Sequence, residues 1–267
     1  MTGLVERLRA AGCVFAEMEA ALLTEAASGK ALEQLVRRRV AGEPLEQLLG
    51  WAEFSGRRIL VQPGLFVPRR RTELLVDLAG QHAAAGAVIV DLCCGTGAAG
   101  AVLLDIVPGA DVHAADLDPA AVACAERNLA GRGAAWQGDL YDALPAGLRG
   151  QVDILVVNAP YVPTAEIAHM PPEARDHENL LALDGGPDGL DIHRRVAAGA
   201  PAWLAPGGML VLETSAEQAG RSAAMLSAAG LRTRIVHDEE RDATAVVAIR
   251  ERRAGEGAPH GPSRPSN

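Results

Sequence analysis

No run of about twenty apolar residues long enough to cross a bilayer occurs in the 267-residue chain, although 49% of its residues are hydrophobic. The N-terminus also lacks the charged-then-apolar order of a secretory signal, because Glu6, Glu17 and Glu19 interrupt it. No membrane association and a cytoplasmic location are the expectations. Cysteine is scarce: Cys13, Cys93, Cys94 and Cys124 have no metal-ligand spacing, and the adjacent pair Cys93-Cys94 suits neither a structural disulfide nor a zinc site. Reduced, small, mostly buried thiols and no metal centre are expected. Positive charge is short too. A formal net charge of −9 disfavours a surface that tracks phosphates, so no stable nucleic-acid binding is expected. The one basic cluster, Arg69-Arg70-Arg71, reads as a solvated loop.

What is present falls into successive patterns. From Leu4 to Leu49 apolar residues recur at helical spacing, as in Leu22, Leu23, Ala26 and then Leu32, Leu35, Val36, with breaks at Gly29 and Gly42. From Glu53 to Val67 the residues Phe54, Ile59, Val61 and Phe66, punctuated by Gly56, Pro63 and Gly64, predict a hairpin. Strand and helix then alternate. Strands are read at 87–91, 112–116, 134–137, 153–157, 209–213, 233–237 and 244–249, and helices include 119–129, 191–203 and 216–228. Such alternation predicts a mostly parallel, doubly wound sheet. The break at 238–242 is too short for a parallel crossover, so the last two strands should form an antiparallel hairpin. The chain divides into a helical unit at 1–52, a hairpin linker at 53–68, an α/β domain at 69–251 and a Gly-, Pro- and Ser-rich tail at 252–267, expected to be disordered. There is no internal repeat.

Two constellations carry chemistry. In the first, Asp91-Leu92-Cys93-Cys94-Gly95-Thr96-Gly97 joins a buried strand to a helix. Glycines there let backbone approach a ligand at the helix N-terminus. Asp116, ending the next strand, is placed to accept both ribose hydroxyls of an adenosine, while Asp118 before Pro119 reads as a helix N-cap. Asp139, ending the third strand, meets an adenine amino group or is a simple turn residue, and Leu140 would lie against the ring. In the second, Asn158-Ala159-Pro160-Tyr161 follows the strand Ile154–Val157 at the carboxyl edge of the sheet, where open α/β folds keep their ligands. The Asn158 amide oxygen and the Ala159 carbonyl make two acceptors for the hydrogens of a planar NH2 group. Pro160 stiffens the loop, and Tyr161 supplies an aromatic wall. An Asx turn closed by proline is the bland alternative. Glu178 orients the substrate loop or is a solvated charge, and His169 and His177 read as surface residues.

In this order and spacing the two constellations resemble the protein glutamine N5-methyltransferases typified by release factor glutamine methyltransferase. The resemblance extends to Gly42-Glu43-Pro44, to Phe66-Val67-Pro68-Arg69 with Thr72-Glu73, and to Glu178, Pro206-Gly207-Gly208, and Glu213 with Gln218. It implies a class I S-adenosylmethionine methyltransferase: a doubly wound, mostly parallel seven-stranded sheet with a terminal antiparallel hairpin, plus a small N-terminal helical domain that recognises the substrate. It further implies S-adenosyl-L-methionine as methyl donor, lined by the residues from Asp91 to Gly97 together with Asp116, Asp139, Leu140 and Asn158. The loop Asn158–Tyr161 would hold a glutamine of a protein, a peptide chain release factor or a ribosomal protein, met by a monomeric enzyme. The sequence departs from the family at Ala159, at Cys93 and at Arg70-Arg71. N6-adenine methylation of nucleic acid and N-methylation of a small molecule stay open as rivals, since either offers a planar amino group to the same two acceptors.

Overall fold

The computed structural model describes residues 2–252, so the tail assigned to 252–267 lies, Arg252 apart, outside the described residues. Four helices, α1 (Thr2–Ala10), α2 (Ala16–Ala26), α3 (Gly29–Val40) and α4 (Leu45–Leu49), come first. Their apolar stripes meet in a core of their own, formed by Leu8, Ala16, Ala20, Leu23, Val36 and Leu45. Within it Arg39 is buried with Nε against Glu19 at 2.6 Å, and its Nη1 reaches Glu173 at 2.6 Å, far along the chain.

A two-stranded hairpin follows, β1 (Trp51–Phe54) and β2 (Arg57–Leu60). Phe54 pairs with Arg57, leaving a two-residue turn in which Ser55 and Gly56 both have positive φ, the geometry that matches strand twist. The hairpin is thus shorter and earlier than the one predicted over 53–67. The strand pattern stops at Leu60 because Gln62-Pro63-Gly64 interrupts it, and residues 61–69 run irregularly to the mouth of the site.

The remaining elements are α5 (Glu73–His82), β3 (Val88–Leu92), α6 (Ala98–Ile106), β4 (Asp111–Asp116), α7 (Pro119–Leu129), β5 (Ala134–Gln137), β6 (Val152–Val157), α8 (Pro172–His177), α9 (Asp191–Trp203), β7 (Leu204–Glu213), α10 (Ala216–Ala228), β8 (Arg232–Asp238) and β9 (Ala243–Ile249). The sheet order is β5-β4-β3-β6-β7-β9-β8, with β9 antiparallel to both neighbours and the other pairings parallel. This is the doubly wound sheet and terminal antiparallel pair expected from the sequence. Period-two alternation divides each strand between two cores. Ile89, Ile154 and Val156 face α5 and α6, while Val90, Leu155 and Val157 face α9 and α10. The order in which strands are added reverses between β3, which leads outward to β4, and β6 on its other side. That switch point at the carboxyl edge is where such folds open a crevice.

Candidate active site

The crevice is a cavity of about 180 Å³ bordered by the loops after β3, β4, β5 and β6. On the β3 side the chain turns through Cys93, Gly95 and Gly97, all at positive φ. Gly97 is required twice over: its φ is +73, and a Cβ there would stand 2.8 Å from the Ala125 Cβ. Cys93 holds the left-handed conformation without being glycine, at φ 58, a strain of about 1–2 kcal/mol for an L-residue. Asn128 braces the turn from α7, donating from Nδ2 to the Thr96 carbonyl at 2.8 Å while its Oδ1 accepts from the Leu60 amide at 2.8 Å. Asp91 lies beneath, buried, accepting from the Gly100 amide at 2.9 Å. Desolvation pushes its carboxyl up to about 7, with the Gly100 N–H opposing and Asp116 adding to the rise.

Asp116 closes β4. Its Oδ2 accepts from the Gly95 amide at 2.8 Å and its Oδ1 from the Asp118 amide at 2.9 Å. Burial raises its pKa and those backbone donors oppose the rise. A carboxylate has about four lone-pair sites, so these bonds do not exhaust it, and Asp116 borders the cavity. Asp118 is the N-cap of α7, accepting from the Ala120 backbone amide at 2.8 Å, and its other oxygen accepts from the Asn179 side-chain Nδ2 at 2.9 Å. Asp139 lines the cavity half-exposed with one oxygen paired to Arg195 at 2.8 Å. Next to it Leu140 is buried at φ 52, a conformation that a bulky residue adopts only under constraint from its surroundings.

The loop after β6 forms the opposite wall. Asn158 Nδ2 donates to the Thr72 hydroxyl at 3.2 Å, which leaves Oδ1 for another partner. Among the described residues the Ala159 carbonyl accepts no hydrogen bond. The Tyr161 hydroxyl donates to Glu213 at 3.2 Å, its carbonyl accepts from Gln218 at 2.9 Å, and the Arg71 guanidinium lies 5.9 Å over its ring. Desolvation, then the neighbouring Glu213, raises the phenol's pKa, so Tyr161 is a neutral wall.

Of the residues singled out by sequence, Cys93, Gly95, Asp116, Asp139, Leu140, Asn158, Ala159, Pro160 and Tyr161 border this cavity. Asp91, Cys94 and Thr96 border a smaller recess that shares Cys93, Gly95 and Asn158 with the cavity, and Gly97 borders neither. Two expectations need correction. Glu178 is not solvated: it is buried, taking Arg69 and the Val67 amide and so fixing the loop 66–69. Nor is Arg69-Arg70-Arg71 simply a solvated loop. Arg69 and Arg71 pair with the buried carboxylates Glu178 and Glu213 and border the cavity, and only Arg70 points outward, to Glu240. Buried carboxylates need counter-charges, and the partners lie too far off in sequence for a local pattern to show. Sequence reasoning gave no site role to Thr72, Asn179 or Arg195. No group of His, Cys, Asp and Glu suited to a metal ion occurs among the described residues.

A family model described as "Methyltransferase small domain" matches residues 58–171. A solved methyltransferase from Pyrococcus furiosus superposes with a TM-score of 0.56 at 14% identity over 74% of this chain and 90% of that one, a likeness of fold. Fold and crevice together define a class I, S-adenosylmethionine-dependent methyltransferase. Nearer relatives narrow this. The chain is 38% identical over 199 residues to the release factor glutamine methyltransferase of Geobacter sulfurreducens, covering 73% of this chain and 69% of the relative. It is also 38% identical over 203 residues to the 4-amino-L-phenylalanine/4-methylamino-L-phenylalanine methyltransferase of Streptomyces pristinaespiralis, with the same coverage of each. The chain belongs to the release factor glutamine methyltransferase family.

Proposed function

We propose that this protein methylates the N5 amide nitrogen of a glutamine in a peptide chain release factor, in the cytoplasm. The observation that carries this is that Asn158, whose Oδ1 makes no hydrogen bond, and Ala159, whose carbonyl makes none among the described residues, both border the cavity beside Tyr161. S-Adenosylmethionine, when bound, supplies an electrophilic methyl group on a sulfonium. Asp116, Leu140 and the turn 93–97 would hold its adenosine end.

An amide nitrogen is a weak nucleophile because its lone pair is delocalised into the carbonyl. The site compensates by position. Two acceptors taking both N–H groups fix the amide plane and its rotation, converting a rare geometry into the resting one. The same acceptors favour the positive charge that grows on nitrogen during transfer. Tyr161, neutral and anchored to Glu213, walls the flat group without competing for its hydrogens. The helical unit reaches the site through Arg39 and Glu173 and through Gln47, whose amide donates to the Leu65 and His177 carbonyls. A protein substrate seated on the helices would meet a site already in register.

A second acceptor, a small aromatic amine, is favoured by the equal identity to the aminophenylalanine enzyme. Its NH2 offers the same two hydrogens. Asn158→Ala tests the common element. The variant should retain cofactor affinity within about tenfold yet lose at least about a hundredfold in kcat, as expected when an interaction made at the reacting group is removed. Parallel losses in both would assign Asn158 to cofactor binding instead.

A further inference from the structure

We propose that Arg195 is a positioning residue for cofactor recognition: it holds one oxygen of Asp139 so that the other meets the amino group of the adenine ring. The proposal rests on the reading of Asp139 as the adenine partner. Both side chains border the cavity, as do Leu117 and Leu140, the residues that directly follow Asp116 and Asp139. Arg195 Nη2 donates to Asp139 Oδ2 at 2.8 Å, and Oδ1 makes no hydrogen bond among the described residues. A carboxylate only accepts, so a fixed Oδ1 favours a ring amino group and disfavours a ring carbonyl in its place.

What the ion pair settles is the direction of a side chain, because the backbone of this loop is fixed without it. Tyr141, two residues on from Asp139, is buried, stacks on Trp203 with ring centroids 5.7 Å apart, and donates its hydroxyl to the Val196 carbonyl at 2.8 Å. One turn further along α9, Gly199 leaves room for that ring, since a Cβ there would stand 2.3 Å from it. Leu140, between Asp139 and Tyr141, keeps a φ of 52, which a bulky residue holds only where its surroundings are fixed. The Asp139 side chain is half-exposed and still has its own torsions to order. Arg195 directly precedes Val196, so the helix that anchors Tyr141 also brings the guanidinium to Asp139. An exposed ion pair adds little to folding. A carboxylate already held in one rotamer, however, spares the entropy of ordering it when the ligand arrives. The pair therefore acts on affinity for an adenine ring rather than on stability.

The test is isothermal titration calorimetry of the full chain with S-adenosylhomocysteine and with S-inosylhomocysteine, in which a carbonyl replaces the adenine amino group. Wild type should prefer the adenine ligand about tenfold or more, the scale of one hydrogen bond to a charged group. Asp139→Ala should lose most of that preference. Arg195→Met should weaken S-adenosylhomocysteine about threefold, the scale of an exposed ion pair, without weakening S-inosylhomocysteine, so that the preference narrows. Added to Asp139→Ala, the same change should alter neither affinity further, because Arg195 acts only through the carboxylate. Equal weakening of both ligands by Arg195→Met, or weakening that persists in the Asp139→Ala background, makes Arg195 a direct contact or a brace and overturns the proposal. So does an Arg195→Met protein that binds both ligands as wild type does while Asp139→Ala loses the preference. An Asp139→Ala protein that keeps the wild-type preference overturns the reading of Asp139 on which the proposal rests.

Discussion

Replacing Asp116 by asparagine separates two jobs that its carboxylate does together. Both oxygens take backbone N–H groups, from Gly95 at 2.8 Å and Asp118 at 2.9 Å, and the residue borders the cavity. Asparagine must turn its NH2 toward one of those backbone donors. The free protein then loses one bond and leaves a partly buried N–H unpaired, a cost of about 1–3 kcal/mol. If Asp116 holds the ribose diol as proposed, the cofactor would lose one of two acceptors, and with it one charge-assisted bond of about 1.5–3 kcal/mol. Affinity for S-adenosylmethionine or S-adenosylhomocysteine should therefore fall roughly 10- to 100-fold by isothermal titration calorimetry. At saturating cofactor, kcat should hold within about threefold, because the role proposed for Asp116 is to hold the cofactor and not the acceptor. A fall in Tm with cofactor Kd inside about threefold of wild type would refute the reasoning and make Asp116 only a brace for the turn.

Three further outcomes follow from buried groups. Arg39→Met strands the buried Glu19 carboxylate, which should cost about 3–5 kcal/mol in urea unfolding, and a loss under about 1 kcal/mol would mean the pair is solvated in solution. Burial lowers His193 from 6.5 to about 4, so the fold keeps it neutral while the unfolded chain protonates more readily. Its contribution is complete above pH 6.5 and is lost as pH falls toward 4. Tm between those values should drop less steeply in His193→Gln than in wild type, and equal slopes would contradict the assignment. Cys93→Gly relieves a φ of 58 and should raise stability by about 1 kcal/mol, read from denaturant midpoints. No change would show that the turn relaxes around cysteine without strain.

Much of the fold was legible because its signals are local. The ranges expected for α7, α9, α10 and β5 coincide with those observed, and the Asp118-Pro119 cap marked its helix start. β7 begins at Leu204 rather than 209, because its early residues Pro206-Gly207-Gly208 look like a turn and are held by backbone bonds to Arg250. The hairpin was misplaced because Pro63-Gly64 is a louder turn signal than Ser55-Gly56, whose positive φ values carry the reversal. In the site, the wall residues were visible because strand ends and glycine turns are sequence features. Their supports were not. Thr72 meets Asn158 across 86 residues and Arg69 meets Glu178 across 109, and no periodicity relates such partners.

The most direct test of the central claim is mass spectrometry of a release factor incubated with this protein and methyl-labelled S-adenosylmethionine. The account predicts a single added methyl group on the side-chain amide of the glutamine in the Gly-Gly-Gln loop, absent with Asn158→Ala. An unmodified glutamine alongside label in 4-aminophenylalanine or in nucleic acid would contradict it.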